Sequence, residues 1–282
     1  MTTQPAVVPH ASPAIRPAAV AGMFYPGATV ELRRTVDVLL AEASNRSLKG
    51  PVPKALIVPH AGYVYSGPVA ATAYARLLPA RGRITRVVIL GPAHRVWFDG
   101  LALPAVDALA TPLGSLKVDL DAAARASALP QVISSAEPHA EEHSLEVQLP
   151  FVQRALGDVA VVPFVVGDAS AADVAEVIEL LWGGEETLFL ISSDLSHYHP
   201  WGEARTLDAE AARQIRALGP MLNHEQACGA TPVDGMLLAA KRHGMNVEIL
   251  DLRNSGDTAG GRDRVVGYGA FAFHESTTAR SA

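Results

Sequence analysis

A single cysteine, Cys228, among 282 residues excludes an internal disulfide framework. Basic residues are also few: 23 Lys and Arg stand against 29 Asp and Glu, for a formal net charge of -6. That balance leaves no electrostatic footprint for nucleic acid, and no basic stripe interleaved with aromatics occurs. No apolar run approaches the ~18 residues that a membrane span requires. The opening stretch, MTTQPAVVPHASPAIRP, lacks the charged and continuous apolar regions of a secretory signal. These absences read as a cytoplasmic protein with neither nucleic acid nor membrane as a partner.

Apolar residues make up 49% of the chain. Much of that is alanine, which builds helices more than it fills volume. The most informative stretch is Lys54–Pro68, KALIVPHAGYVYSGP. Its unbroken run Ala55–Val58, closed by Pro59, His60 and Gly62, reads as a strand buried on both faces. Such strands belong to parallel sheets covered by helices. A helix over Val69–Leu78 should follow. Arg86–Leu90 repeats the design and runs into Gly91-Pro92-Ala93-His94. Two such strands around one helix form a βαβ unit with a right-handed crossover. If they are neighbours, His60 and His94 leave the same sheet edge, where open α/β sheets carry their ligands.

Further strands are expected at 101–104, 113–118, 131–134, 159–166, 187–191, 247–252 and 265–273. Helices are expected at Thr29–Ser44, with Val30 on its apolar face, and at 119–128, 171–181 and 203–217. Thr231 is a plausible N-cap for a helix reaching about Arg242. Glu141–Leu156 reads as one long amphipathic helix, kinked at Pro150. Residues 1–15 read as a disordered segment, 16–275 as a single α/β domain and 276–282 as a frayed tail. The fold class is α/β, with a mainly parallel or mixed central sheet and helices on both faces.

Either His60 or His94 alone reads as a turn histidine capping a helix; together on one edge they read as a site. Asp194 and His197 form an Asp-x-x-His pair beyond a third strand. Asp194 either caps the next helix or orients a metal-binding imidazole, and His197 is either an exposed turn residue or a proton carrier. Glu142, His143 and Glu146 read as a solvated first turn, with His143 and Glu146 on one face. His139, His199, His224 and His243 read as surface residues. Cys228 is either a small buried hydrophobe or, just ahead of a helix, a thiol with a lowered pKa. His60, His94 and Cys228 would form a three-ligand set with an open position, the mark of a catalytic site. That set suits iron, copper or zinc and excludes magnesium and calcium.

The segments AGMFYP (21–26), VPHAGYVYSGP (58–68), ILGPAHR (89–95), EEHSLEVQLPF (141–151), ISSDLSH (191–197) and NSGD (254–257) together resemble the Memo family, called AmmeMemoRadiSam system protein B in prokaryotes. The resemblance runs from Arg16 to Phe273. It implies a fold similar to class III extradiol dioxygenases, in which two histidines and a carboxylate hold non-haem iron. In Memo-like proteins a cysteine stands where the carboxylate would be. The implied ligands are His60, His94 and Cys228, with Asp194, His197 and His143 as pocket residues. The implied cofactor is iron or copper, with zinc possible. The implied function is that of a metal-dependent redox enzyme, with His197 as general acid/base and His143 beside it. A peptide-binding adaptor module and a zinc-dependent hydrolase are the alternatives. Implied partners are a small molecule or peptide in the pocket, an AMMECR-like protein and a radical-SAM protein. After Cys228-Gly229 the family pattern carries a basic residue; this chain has Ala230, which leaves the pocket less positive.

Overall fold

The computed structural model describes residues 14–45, 50–219 and 221–275. The expected disordered segment, apart from Ala14 and Ile15, and the expected tail lie outside the described residues. The first half comprises β1 (Ile15–Arg16), α1 (Thr29–Asn45), β2 (Ala55–Val58), α2 (Tyr63–Ala75), β3 (Arg86–Pro92) and β4 (Leu101–Leu103). Then come β5 (Ala108–Thr111), β6 (Gly114–Lys117), α3 (Leu120–Ala126), β7 (Val132–Ser134), α4 (Glu137–Ala140) and α5 (Leu149–Leu156). The second half comprises β8 (Ala160–Val166), α6 (Ala171–Leu180), β9 (Thr187–Ser192), β10 (His197–His199), α7 (Trp201–Arg216), α8 (Ala230–Arg242), β11 (Asn246–Asn254) and β12 (Val265–His274).

A mixed sheet with the order β10-β12-β2-β9-β3-β8-β4-β7 forms the centre, and β11 also pairs with β12. Its middle strands β2, β9, β3 and β8 are all parallel. β12 runs antiparallel to β2, and β4 antiparallel to β8. The continuous apolar runs of the middle strands follow from burial on both faces. Leu56, Val58, Val87, Ile89 and Leu190 pack in one core with α1, α2 and α5. Their alternates Ala55, Ile57, Val88, Leu90 and Ile191 pack in the other with α6, α7 and α8. Each large aliphatic side chain so buried contributes about 1.5–3 kcal/mol. A small sheet, β1-β5-β6, lies apart.

Several expectations are corrected. β2 and β3 are not neighbours, because β9 lies between them. The parallel order keeps their carboxyl ends on one edge all the same. α2 starts at Tyr63 rather than Val69 and contains both Gly67 and Pro68. Gly67 serves close packing: a Cβ there would lie 3.0 Å from Leu39 Cδ1 on α1. Val30 is exposed, and α1 buries Leu32, Val36, Leu40 and Ala43 instead. The N-cap of α8 is Gly229, not Thr231.

The long helix over Glu141–Leu156 does not exist. Residues 141–145 form an irregular loop, Glu146–Gln148 a 3-10 turn, and only Leu149–Leu156 an α-helix. Pro150 falls in the first turn of α5, where no helical hydrogen bond is lost, so it begins the helix rather than kinking it. The loop is held open by the Glu142 side chain, which accepts the amides of His143 and Ser144, both at 2.9 Å.

Candidate metal centre

The carboxyl ends of β2, β9 and β3 deliver His60, the Ser192–Asp194 segment and His94 to one crevice. The loop 141–145 covers it with His143. The resulting cavity, about 770 Å³, is lined by His60, His94, His143, Asp194, His197 and Cys228 among others. A neighbouring cavity of about 670 Å³ shares His94, His224 and Cys228 with it. At the opposite sheet edge a third cavity surrounds Lys54. There the Lys54 Nζ donates to the carbonyls of Trp182, Gly184 and Thr187, a structural role.

Ligand nitrogens of His60, His94 and His143 all lie within 4.8 Å of one another. Their ring centroids are 5.2 Å (His60–His94), 5.4 Å (His60–His143) and 4.6 Å (His94–His143) apart. Hydrogen bonds fix which atoms face inward. The Ser192 hydroxyl spends its proton on the Ser144 carbonyl at 2.6 Å. Toward His60 Nδ1, 2.9 Å away, Ser192 Oγ can therefore only accept. His60 thus carries its proton on Nδ1 and turns its Nε2 lone pair toward Cys228 Sγ, 3.2 Å away. Likewise His94 Nδ1 lies 2.9 Å from Glu142 Oε1, an acceptor, which leaves His94 Nε2 free. A carboxylate behind a ligating imidazole fixes its tautomer and raises its basicity.

Burial would raise the Glu142 pKa, but hydrogen bonds from His94 and from the amides of Ser144 and His94 outweigh it and hold the carboxyl near 2. Burial drives His60 well below the usual histidine value, and protonation of the adjacent His94 or His143 would lower it further. Burial also lowers His143 to about 4, against the pull of Glu142. Both rings are therefore neutral at pH 7, the form that ligates a metal. His143 Nδ1 is buried with no hydrogen-bond partner.

Cys228 Sγ lies 3.2 Å from His60 Nε2 and accepts the Asp194 amide at 3.3 Å. Gly229 makes this approach possible: a Cβ there would fall 2.8 Å from the Ser192 carbonyl oxygen. The expectation of a lowered thiol pKa is overturned. Burial, together with the Asp194 charge, pushes the Cys228 thiol up to about 12. A helix N-terminus lowers a thiol pKa only where the charged form is solvated or paired, and here desolvation dominates. Ala230 is buried at the start of α8.

Asp194 does not touch the His60 ring. Its Oδ1 accepts the His60 amide at 2.7 Å, so it fixes the turn that presents the ring. Burial raises its carboxyl to about 7. His197 lines the cavity from β10, with its pKa lowered by burial. Tyr198 beside it has a left-handed backbone, φ 63°, and exposes its ring at the mouth.

Glu142 is buried and gathers four donors, whereas the sequence suggested a solvated turn. Ser192, which orients His60, carries a weak signal in the sequence, a polar pair at the end of an apolar strand. His139 is buried and pairs with the Ala102 carbonyl, so it is not a surface histidine. His243 stacks on Trp182 and lies 2.8 Å from Glu179.

The sequence matches the Memo-like protein family over residues 16–272. A MEMO1 family protein of Aquifex aeolicus is 35% identical over 272 residues, which covers 92% of this chain and 99% of that protein. One from Ignicoccus hospitalis is 36% identical over 286 residues, covering 92% and 98%. Among solved structures, an uncharacterized protein JW3007 from Escherichia coli K12 aligns with TM-score 0.47 and 15% identity, over 76% of this chain and 98% of that one.

Proposed function

The chain belongs to the Memo-like family, and from that premise we propose that it is a metal-dependent redox enzyme holding iron or copper at His60, His94 and Cys228. The observation that carries this is the convergence of imidazoles: Nδ1 of both His60 and His94 is engaged from behind, and Cys228 Sγ lies 3.2 Å from His60 Nε2. The donor set fits. Nitrogen and sulfur donors suit iron, copper or zinc, and the two carboxylates of the pocket, Glu142 and Asp194, are engaged with His94 and with backbone amides. The bound ion would supply electron transfer and an open position for a substrate oxygen.

The protein's own groups then do the rest. Ser192 and Glu142 keep His60 and His94 in one tautomer and orientation. Phe24, 4.6 Å from the His143 ring, walls one side of the pocket. His143 lines the cavity with its ring neutral at pH 7, and its Nδ1 stands 3.3 Å from Glu142 Oε1, so the other ring nitrogen is the one that can accept a proton from a bound molecule. His197 sits at the cavity wall where it can exchange protons with solvent through the mouth.

Protein loaded anaerobically with iron(II) or copper, then given oxygen and candidate reductants, should consume oxygen, and zinc-loaded protein should not. Oxygen uptake equal to that of free metal would refute the enzymatic reading. One observation favours a second reading, a peptide-binding module: Met23, Val64 and Tyr198 are exposed apolar side chains on segments that line the mouth. Tight peptide binding indifferent to metal would support that alternative.

A further inference from the structure

Glu142 organises His94 and the 143–144 amides, and a second buried network organises Glu142. The Arg16 guanidinium donates from Nε to the His139 carbonyl at 2.6 Å, and from Nη2 to the Glu142 carbonyl at 2.8 Å. Its Nη1 meets Glu146 Oε2, also at 2.6 Å. One rigid fork thus ties down the residues before, within and after the loop that carries Glu142 and His143. Glu146 is saturated in turn: Oε2 also accepts the Ala19 amide at 2.8 Å, and Oε1 accepts the Val20 amide at 2.9 Å and the Tyr25 hydroxyl at 2.6 Å. Arg16 and Glu146 are both buried.

We propose that Arg16 and Glu146 are positioning residues of the centre: they couple the strap 16–25 to the loop 139–146 and so fix where the Glu142 carboxylate meets His94. The network engages the loop at 139, 142 and 146, the positions that bracket the His94 partner and His143. A planar fork is required, because a lysine ammonium at position 16 cannot reach three acceptors spread over eight residues. Sites whose supporting groups are loosened by about 1 Å lose ligand affinity while the fold survives. The proposal rests on the metal reading for one arm of its test, and the other arm is independent of it.

The test compares Arg16→Lys and Tyr25→Phe with Leu32→Ala, a packing control in the buried face of α1. Cobalt(II) affinity is read from its visible absorption, and amide hydrogen exchange is read at His143 and Ser144. Arg16→Lys should weaken cobalt(II) binding by about tenfold or more and speed exchange at both amides by a similar factor. Tyr25→Phe, which removes one of four bonds to Glu146, should do the same by about two- to threefold. Leu32→Ala should change neither, even where it lowers the unfolding midpoint further. Parent-like affinity and exchange in Arg16→Lys, or equal losses in Leu32→Ala, would overturn the proposal. Should Arg16→Lys fail to fold, Tyr25→Phe decides. If the parent binds no cobalt, the metal reading fails, and the exchange arm still judges the positioning role.

Discussion

Replacing Glu142 by Gln changes one carboxylate oxygen into an NH2 group and leaves the shape alone. In the parent, Oε1 faces His94 Nδ1 and the amides of His143 and Ser144, all at 2.9 Å, and Oε2 faces the His94 amide at 2.6 Å. An amide has a single acceptor oxygen, so in either orientation its NH2 meets a buried donor. The lost charge sets the magnitude. A carboxyl held near 2 rather than 4.5 corresponds to about 3 kcal/mol of stability at neutral pH. The side chain is 1% exposed, so solvent screening discounts little of that. The sign follows from the depressed folded pKa: the contribution is complete above 4.5 and is lost as pH falls toward 2. Denaturant unfolding at several pH values is the assay. The gap between parent and Glu142→Gln should be about 3 kcal/mol at pH 7 and shrink by about 2 kcal/mol at pH 3. Equal stability at pH 7, or a gap independent of pH, would refute the reasoning.

Ser192→Ala should orphan His60 Nδ1 and leave Gln148 Nε2 with only the Pro59 carbonyl, costing about 1–3 kcal/mol in thermal or chemical unfolding and about tenfold in metal affinity. Gly91→Ala would set a Cβ 2.8 Å from Leu145 Cδ2 and 2.9 Å from Ser144 Oγ, so it should destabilise by about 1–3 kcal/mol and weaken metal binding through the loop. Metal affinity should rise with pH. Near pH 7 His60 is already neutral while the thiol keeps its proton, so ligation by sulfur expels at least one proton and affinity should climb by about tenfold or more per pH unit. Competition with a chelator at each pH measures this, and a flat profile would exclude Cys228 as a thiolate ligand.

Strands in the middle of the sheet were legible because burial on both faces erases their alternation, as in Ala55–Val58 and Arg86–Leu90. Their order was not, since nothing in either strand records that β9 inserts between them. His60, His94 and Cys228 were visible as residue types in turn contexts. Glu142 was not, because its meaning comes from His94, 48 positions away. The helical spacing of Leu145, Leu149, Val152 and Leu156 suggested one helix over 141–156. Those leucines are buried as the pattern requires, yet the loop 141–145 bends to serve the site. The segments 21–26 and 141–151 look unrelated in sequence; the bond from Tyr25 to Glu146 shows why both are needed. The direction of the Cys228 shift was not legible, because a sequence shows a nearby helix start but not the desolvation around the sulfur.

Anaerobic iron(II) titration of the parent and of Cys228→Ser tests the central claim most directly. The parent should bind one ion per chain, and the variant should bind at least about tenfold more weakly. Binding of equal strength by the two proteins would contradict the claim and assign the third donor to His143, which already stands within 4.8 Å of the other two rings.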